Sequence, residues 1–255
     1  MSSILIFDSG IGGVSILQHI KQLPHPLDIH YVADYAAYPY GEKEENWLIK
    51  RIDKLITNLE HNIKPDVIII ACNTASTLAL PTLRHQLSIP IIGVIPAIKT
   101  ASRLSENKKI GLLATPGTIS RIYMDNLIKE FASDCTVTRV GSTELVDIAE
   151  KKLAGSHIDP HKLQKIIQPF IDNQCDQVVL GCTHFPLLMQ DLLALNTGLH
   201  FVDSGSAIAK RTEHILTEHA STAHCIDSTF YSTQTLGRSL TENLLEIGFK
   251  QFKEI

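Results

Sequence analysis

Short apolar runs rich in Ile and Val alternate along the chain with longer stretches of mixed polarity. The runs predict strands at Ile4–Phe7, Ile29–Val32, Val67–Ala71, Ile91–Val94, Ile110–Ala114, Val137–Val140, Val178–Leu180 and His200–Val202. Helix-length segments fall between them at Glu44–Ile63, Ala75–Gln86, Thr118–Phe131, Lys162–Asn173 and Gly205–His219. Pro65, Pro90 and Gly198 stand just ahead of strands, where a chain break is expected. Continuous apolar strands separated by helices predict an α/β fold, with parallel sheet covered on both faces.

The pattern also repeats. Ile4-Leu-Ile-Phe-Asp8-Ser-Gly is similar to Gly111-Leu-Leu-Ala-Thr115-Pro-Gly, at an offset of 107 residues. Ile68-Ile-Ile-Ala-Cys72-Asn-Thr-Ala is similar to Val178-Val-Leu-Gly-Cys182-Thr-His-Phe, at an offset of 110. Two motifs with nearly one offset predict two pseudo-symmetric parallel-sheet α/β domains. No low-complexity tract or long linker separates them, so the cleft between the domains is the expected active site.

Composition narrows the function classes. The chain has 255 residues, enough for one large domain or two small ones. A formal net charge of −4 without basic clusters argues against a nucleic-acid partner. The five cysteines (Cys72, Cys135, Cys175, Cys182, Cys225) are odd in number and not closely paired, which suits a reducing compartment. The first residues lack a basic n-region and their apolar run stops at Asp8, unlike a signal peptide. No apolar stretch is long enough to span a bilayer. A cytoplasmic protein without a membrane partner is expected.

Chemistry concentrates at strand ends. In open α/β sheets ligands bind beyond the carboxyl ends of the strands. Cys72 directly follows a strand, and Asn73-Thr74 lead into a helix whose positive end should lower the thiol pKa. Cys182 holds the same place in the second half, followed by Thr183, His184 and a helix-opening Phe185-Pro186. Two thiols facing each other suit inversion of a stereocentre, which needs a base on one face of a carbon and an acid on the other. Asp8 at the first strand tip can orient a thiol or cap the next helix, and the following glycines let backbone approach a ligand. His184 beside Cys182 is read as an acid–base assistant. Cys-x-His lacks a second pair at ligand spacing, so no metal is expected. Cys135, Cys175 and Cys225 have no polar strand-end signature and are read as packing residues. No lysine lies in a context that argues for a pyridoxal phosphate Schiff base, so no cofactor is expected.

Two other readings compete. Gly10-x-Gly12-x-x-Ser15 with Asp34 ending the next strand imitates a dinucleotide fingerprint, which would make the chain a nucleotide-binding regulator. Against it, the third glycine is a serine and Asp8 would repel a pyrophosphate. A cysteine hydrolase with Cys72 as nucleophile and His184 as base is the third reading.

With these residues in place, the chain resembles the glutamate racemases of the aspartate/glutamate racemase superfamily. The resemblance runs in order through Phe7-Asp8-Ser9-Gly10-Ile11-Gly12-Gly13, Pro39-Tyr40-Gly41, Ala71-Cys72-Asn73-Thr74-Ala75, Leu113-Ala114-Thr115-x-x-Thr118 and Leu180-Gly181-Cys182-Thr183-His184-Phe185-Pro186. It implies a cofactor-independent racemase with Cys72 and Cys182 as the acid/base pair, Asp8 assisting Cys72 and His184 assisting Cys182. It implies that Ser9, Tyr40, Gly41, Asn73, Thr74, Thr115, Thr118 and Thr183 hold the amino and carboxylate groups of glutamate. Glu150 falls where the family has a further carboxylate near the second cysteine, although Leu145–Glu150 departs from the usual Pro-containing motif. The loop Asp34–Tyr38 also departs from the common pattern. Related aspartate racemases usually have Glu in the place of His184 and a different glycine-rich start, which favours glutamate over aspartate. The resemblance further implies domains at residues 1–97 with 205–255 and at 98–204, a homodimer, and D-glutamate made for peptidoglycan.

Overall fold

The computed structural model describes residues 1–216 and 226–255. Cys225 and the end of the predicted helix Gly205–His219 lie outside the described residues. The first elements are β1 (Ser2–Asp8), α1 (Val14–Ile20), β2 (Leu27–Ala33), α2 (Glu45–Ile63), β3 (Val67–Ile70), α3 (Asn73–Gln86) and β4 (Ile91–Gly93). Next come α4 (Ile98–Leu104), β5 (Lys109–Ala114), α5 (Pro116–Ile119), α6 (Ile122–Phe131), β6 (Thr136–Gly141), α7 (Glu144–Leu153), α8 (Pro160–Asp172), β7 (Gln177–Leu180), α9 (Met189–Ala194) and β8 (His200–Val202). α10 (Gly205–Leu216), β9 (Ile226–Ser232), α11 (Arg238–Ile247) and β10 (Gln251–Glu254) complete the described elements.

The strands form two sheets, ordered β10-β9-β2-β1-β3-β4 and β6-β5-β7-β8, and every pairing is parallel. The order β2-β1-β3-β4 in the first sheet is repeated as β6-β5-β7-β8 in the second, as the internal repeat predicts. One alignment shifts by a residue. Ala71 N–H donates to Phe7 O and Gly181 N–H to Leu113 O, each at 2.7 Å. Asp34 N–H donates to Asp8 O and Ser142 N–H to Ala114 O, each at 3.0 Å. The counterpart of Asp8 is therefore Ala114, and that of Thr115 is Ser9. Similarity between short apolar strings does not fix register; the ladder does.

Both faces of each sheet are covered. In the first sheet Ile4, Ile6, Tyr31 and Ile69 join Leu17 of α1, Ile208 of α10 and Leu244 of α11 in one core. Leu5, Phe7, Ile68 and Ile70, their neighbours in sequence, point the other way onto Ile52 and Ile56 of α2 and Leu83 of α3. That period of two is the strand geometry showing through a run that is apolar at every position. α2 is amphipathic, with Leu48, Ile52, Ile56 and Leu59 buried, and the Glu44 carboxylate caps it by accepting Asn46 and Trp47 N–H. In the second sheet α4 and α6 cover one face and α7, α8 and α9 the other. Among the described residues no helix is long and apolar enough to cross a membrane.

The predicted helix Thr118–Phe131 is two helices. It breaks at Arg121, whose backbone is extended and whose guanidinium reaches Glu45 and Thr77, at 3.1 Å each. α1 is the helix expected after Asp8, whereas α4, α7, α11, β9 and β10 are additional to the predicted elements. β9 and β10 extend the first sheet beyond β2.

Candidate active site

The carboxyl ends of β1, β3, β5 and β7 open onto one cavity of about 280 Å³. Cys72, Cys182 and His184 line it, with Ser9, Tyr40, Gly41, Asn73, Thr74, Thr115, Thr118 and Thr183. Every residue expected to touch substrate is brought together there. Asp8 and Glu150 stand behind that lining. Tyr38, Pro39, Glu42, Thr143, Val146 and Asp147 also line the cavity and were missed, since none of them ends a strand. A larger recess of about 650 Å³ lies between α1, α11 and Leu187, and neither cysteine reaches it.

Cys72 is 7 % exposed and occupies the N-cap position of α3. Its thiol lies 3.7 Å from the Ser9 hydroxyl, which donates to it. The expected lowering of its pKa by the helix end is overturned. Burial first, and the Asp8 charge second, push it up to about 12, against the weaker pull of Ala75 N–H and Ser9. A buried thiol loses more from desolvation than one helix end returns.

Asp8 is fully buried, and Ser9 rather than Asp8 is the hydrogen-bond partner of the Cys72 thiol. The Asp8 carboxylate accepts Gly10 N–H at 2.8 Å and the Thr183 hydroxyl, from the other half, at 3.0 Å. It caps no helix, because Gly13 holds the N-cap position of α1. Burial raises its pKa, partly offset by the charge of His184 and the two hydrogen bonds.

Cys182 is 8 % exposed and its sulfur lies 3.8 Å from His184 Nδ1. His184 Nε2 lies 2.7 Å from Glu150 Oε1. Burial works against a charge on His184, but its contacts with Cys182 and Glu150 prevail and lift its pKa well above the ordinary value. Glu150 reaches this point from α7, whose Leu145, Val146 and Ala149 face the core. It therefore sits beside the second cysteine's histidine despite the altered motif around it.

The glycine-rich loop presses against these groups. A methyl at Gly10 would lie inside contact distance of Glu150 Oε1, and one at Gly12 inside that of His184 Nδ1. Glycine here lets the two halves approach each other. Asp34, the acidic residue of the dinucleotide pattern, is buried and saturated by Arg51 at 2.6 Å, Tyr40 OH at 2.6 Å and Thr233 at 2.7 Å. Neither feature is arranged to receive a nucleotide.

The lining supplies neutral donors. Thr115 and Thr118 hydroxyls lie 2.9 Å apart, and the Asn73 and Thr74 side chains are buried at the start of α3. No Lys or Arg is among the described lining residues. Glu42 and Asp147 add two carboxylates to this lining. Asp147 accepts the Tyr38 hydroxyl at 3.2 Å. Cys175 is buried away from this lining, and Cys135 contacts Ser102 and Asp134.

The comparisons with known proteins agree on one family. The model of the Asp/Glu/Hydantoin racemase family matches residues 14–212. A glutamate racemase from Shewanella baltica is 43 % identical over 267 residues, covering 99 % of this chain and 97 % of that protein. The structure of Escherichia coli glutamate racemase with L-glutamate and the activator UDP-MurNAc-Ala superposes with a TM-score of 0.90 at 39 % identity, covering 100 % of this chain and 98 % of the other. Glutamate racemase from Francisella tularensis with D-glutamate gives a TM-score of 0.81 at 25 % identity, covering 100 % and 97 %. The chain belongs to the Asp/Glu/hydantoin racemase family.

Proposed function

We propose that this protein interconverts L- and D-glutamate without a cofactor, using Cys72 and Cys182 as the two acid/base residues. The observation that carries the reading is the pair itself, two thiols at equivalent strand ends of two equivalent sheets, lining one cavity. From L-glutamate, the Cys182 thiolate takes the proton from Cα and the C–H electron pair remains on carbon. Cys72 then gives its proton to the opposite face, leaving a thiolate, and the return direction exchanges the roles. His184, held positive by Glu150, favours the thiolate at Cys182. An α-hydrogen is far less acidic than a thiol, so donors from Asn73, Thr74, Thr183 and nearby backbone must stabilise the charge that develops. Ser9, Tyr40, Gly41, Thr115 and Thr118 complete the substrate contacts.

The same reading takes residues 1–97 with 205–255 as one domain and 98–204 as the other. α10 packs on the first sheet and α4 on the second, in support of those limits. The D-glutamate would serve peptidoglycan synthesis, and rescue of a D-glutamate auxotroph tests that role. A homodimer is the assembly proposed, measurable by light scattering.

The decisive experiment is a chiral assay in D₂O. Product from either enantiomer should carry deuterium at Cα from the first turnover, while recovered substrate carries almost none. Equal early labelling of both would point to a single base. Glutamate should be preferred over aspartate by at least about tenfold in kcat/KM, because aspartate leaves the distal donors unpaired. Aspartate turned over as fast would overturn the substrate while leaving the two-thiol mechanism intact.

A further inference from the structure

We propose that Tyr35, outside the cavity lining, is a positioning residue of this reaction, whose hydroxyl pins the Glu150 carboxylate in the orientation that pairs with His184. The inference rests on the racemase reading above and adds a residue to it. Glu150 comes from the second half of the chain and its three partners surround the carboxylate. Oε1 accepts Ile11 N–H at 3.1 Å and meets His184 Nε2 at 2.7 Å; Oε2 accepts Tyr35 OH at 2.9 Å. The glycine loop closes on Oε1 from one side, at Gly10. Among the described residues, Tyr35 is the hydrogen-bond partner of the other oxygen. The Glu150 side chain retains 16 % exposure, so water is available to a carboxylate released from that grip.

Tyr35 can serve as an anchor because its own turn is fixed. Tyr35–Ala37 is a single 3₁₀ turn. Asp34 ahead of it is held by Asp8 O through its N–H and by Arg51, Tyr40 and Thr233 through its carboxylate. Ala36 N–H donates to Thr233 Oγ1 at 3.0 Å. The hydroxyl is therefore presented from a rigid part of the first half to a carboxylate of the second. Its neighbour Tyr38 repeats the arrangement one helical turn away on α7, at Asp147.

The consequence reaches the thiol through the imidazole. With Glu150 turned away, His184 loses the partner of its Nε2 and holds its proton less tightly, and its other nitrogen faces Cys182. The remaining titratable groups in this environment are Asp8 from β1 and Tyr31 from β2, both fully buried and in electrostatic range of Glu150. Tyr38, Asp147 and Cys72 complete the set. None of them touches Glu150 Oε2.

The test is Tyr35→Phe, which keeps the ring and removes the hydroxyl, compared with Glu150→Gln and the double variant in full-length protein. His184 is followed by NMR through its ring proton on carbon, assigned with His184→Asn. Tyr35→Phe should lower the pH at which His184 loses its proton by about half a unit and Glu150→Gln by about one unit or more, with no further drop in the double variant. The alkaline limb of kcat/KM should move down with it, because the charged imidazole is the form that supports the Cys182 thiolate. An unmoved or raised His184 titration in folded Tyr35→Phe protein would overturn the proposal, as would a uniform loss of activity with an unmoved pH profile. Glu150→Gln reports whether His184 is coupled at all, even if Tyr35→Phe folds poorly. Wild-type protein that fails to racemise glutamate would sink the function instead, and the NMR comparison would still decide the role of Tyr35.

Discussion

The two halves share a strand order but not an electrostatic environment. At β3 the thiol heads a helix of fourteen residues, contacts a neutral hydroxyl and lies near a buried carboxylate. At β7 the thiol faces an imidazole backed by a carboxylate, and a short 3₁₀ turn leads into the short helix α9. Cys72 is thereby kept as a neutral thiol, whereas Cys182 sits beside an imidazole whose own pKa is raised by its contacts. A symmetric scaffold is enough to place two groups on opposite faces of a carbon. It does not require them to be chemically equal, and the proposed mechanism starts from one acid and one base.

The comparison breaks first at the thiols. Cys72→Ala and Cys182→Ala should each lower racemisation by about a thousandfold or more, in both directions, since each direction needs both groups. A chiral assay from each enantiomer checks this, and either variant keeping near wild-type turnover would remove that cysteine from the mechanism. His184→Asn should cost about a hundredfold. The enantiomers have equal free energies, so kcat/KM must fall by the same factor from L- and from D-glutamate. The asymmetry of the two sites should appear only in kcat and KM taken separately. Equal changes in kcat from the two sides would show that His184 does not distinguish them.

The smallest effect concerns stability. Burial raises the pKa of Asp8 in the folded protein above its ordinary value of 3.8. Stability tied to this group is therefore fully present below about that pH and is lost as pH rises through the folded value. Asp8→Asn removes the titration and keeps acceptor capacity for Gly10 N–H. Its gain should grow upward from about pH 4 and level off above the folded pKa. Thermal melts at several pH values measure it, and a gain that shrinks with rising pH would contradict the burial argument. Activity should fall, because the charge beside Cys72 and Thr183 is lost.

Much of this was legible because strand-end motifs are local. Asp8-Ser9-Gly10, Cys72-Asn73-Thr74 and Cys182-Thr183-His184 each declare a position and a chemistry within a few residues, and the ladder carries them to one cavity. The rest depends on distance along the chain. Tyr35 and Glu150 are 115 residues apart, and neither has a local signature that names the other. Thiol burial is a property of the assembled halves, which is why the helix-end argument for Cys72 failed. β9 and β10 mix polar residues into their strands, and Gln251–Glu254, at the sheet edge, carries only one apolar side chain. Such segments are recruited by the strand already waiting beside them.

Where the halves meet, Gly10 and Gly12 lie against Glu150 and His184 with no side chain between. The gauge of the cavity is thus a backbone dimension, the thickness of bare peptide against an imidazole ring. Changes to the lining can recarve the walls without altering how far apart the two jaws stand. A methyl group at either glycine would act as a shim, separating the thiols before it touched a substrate.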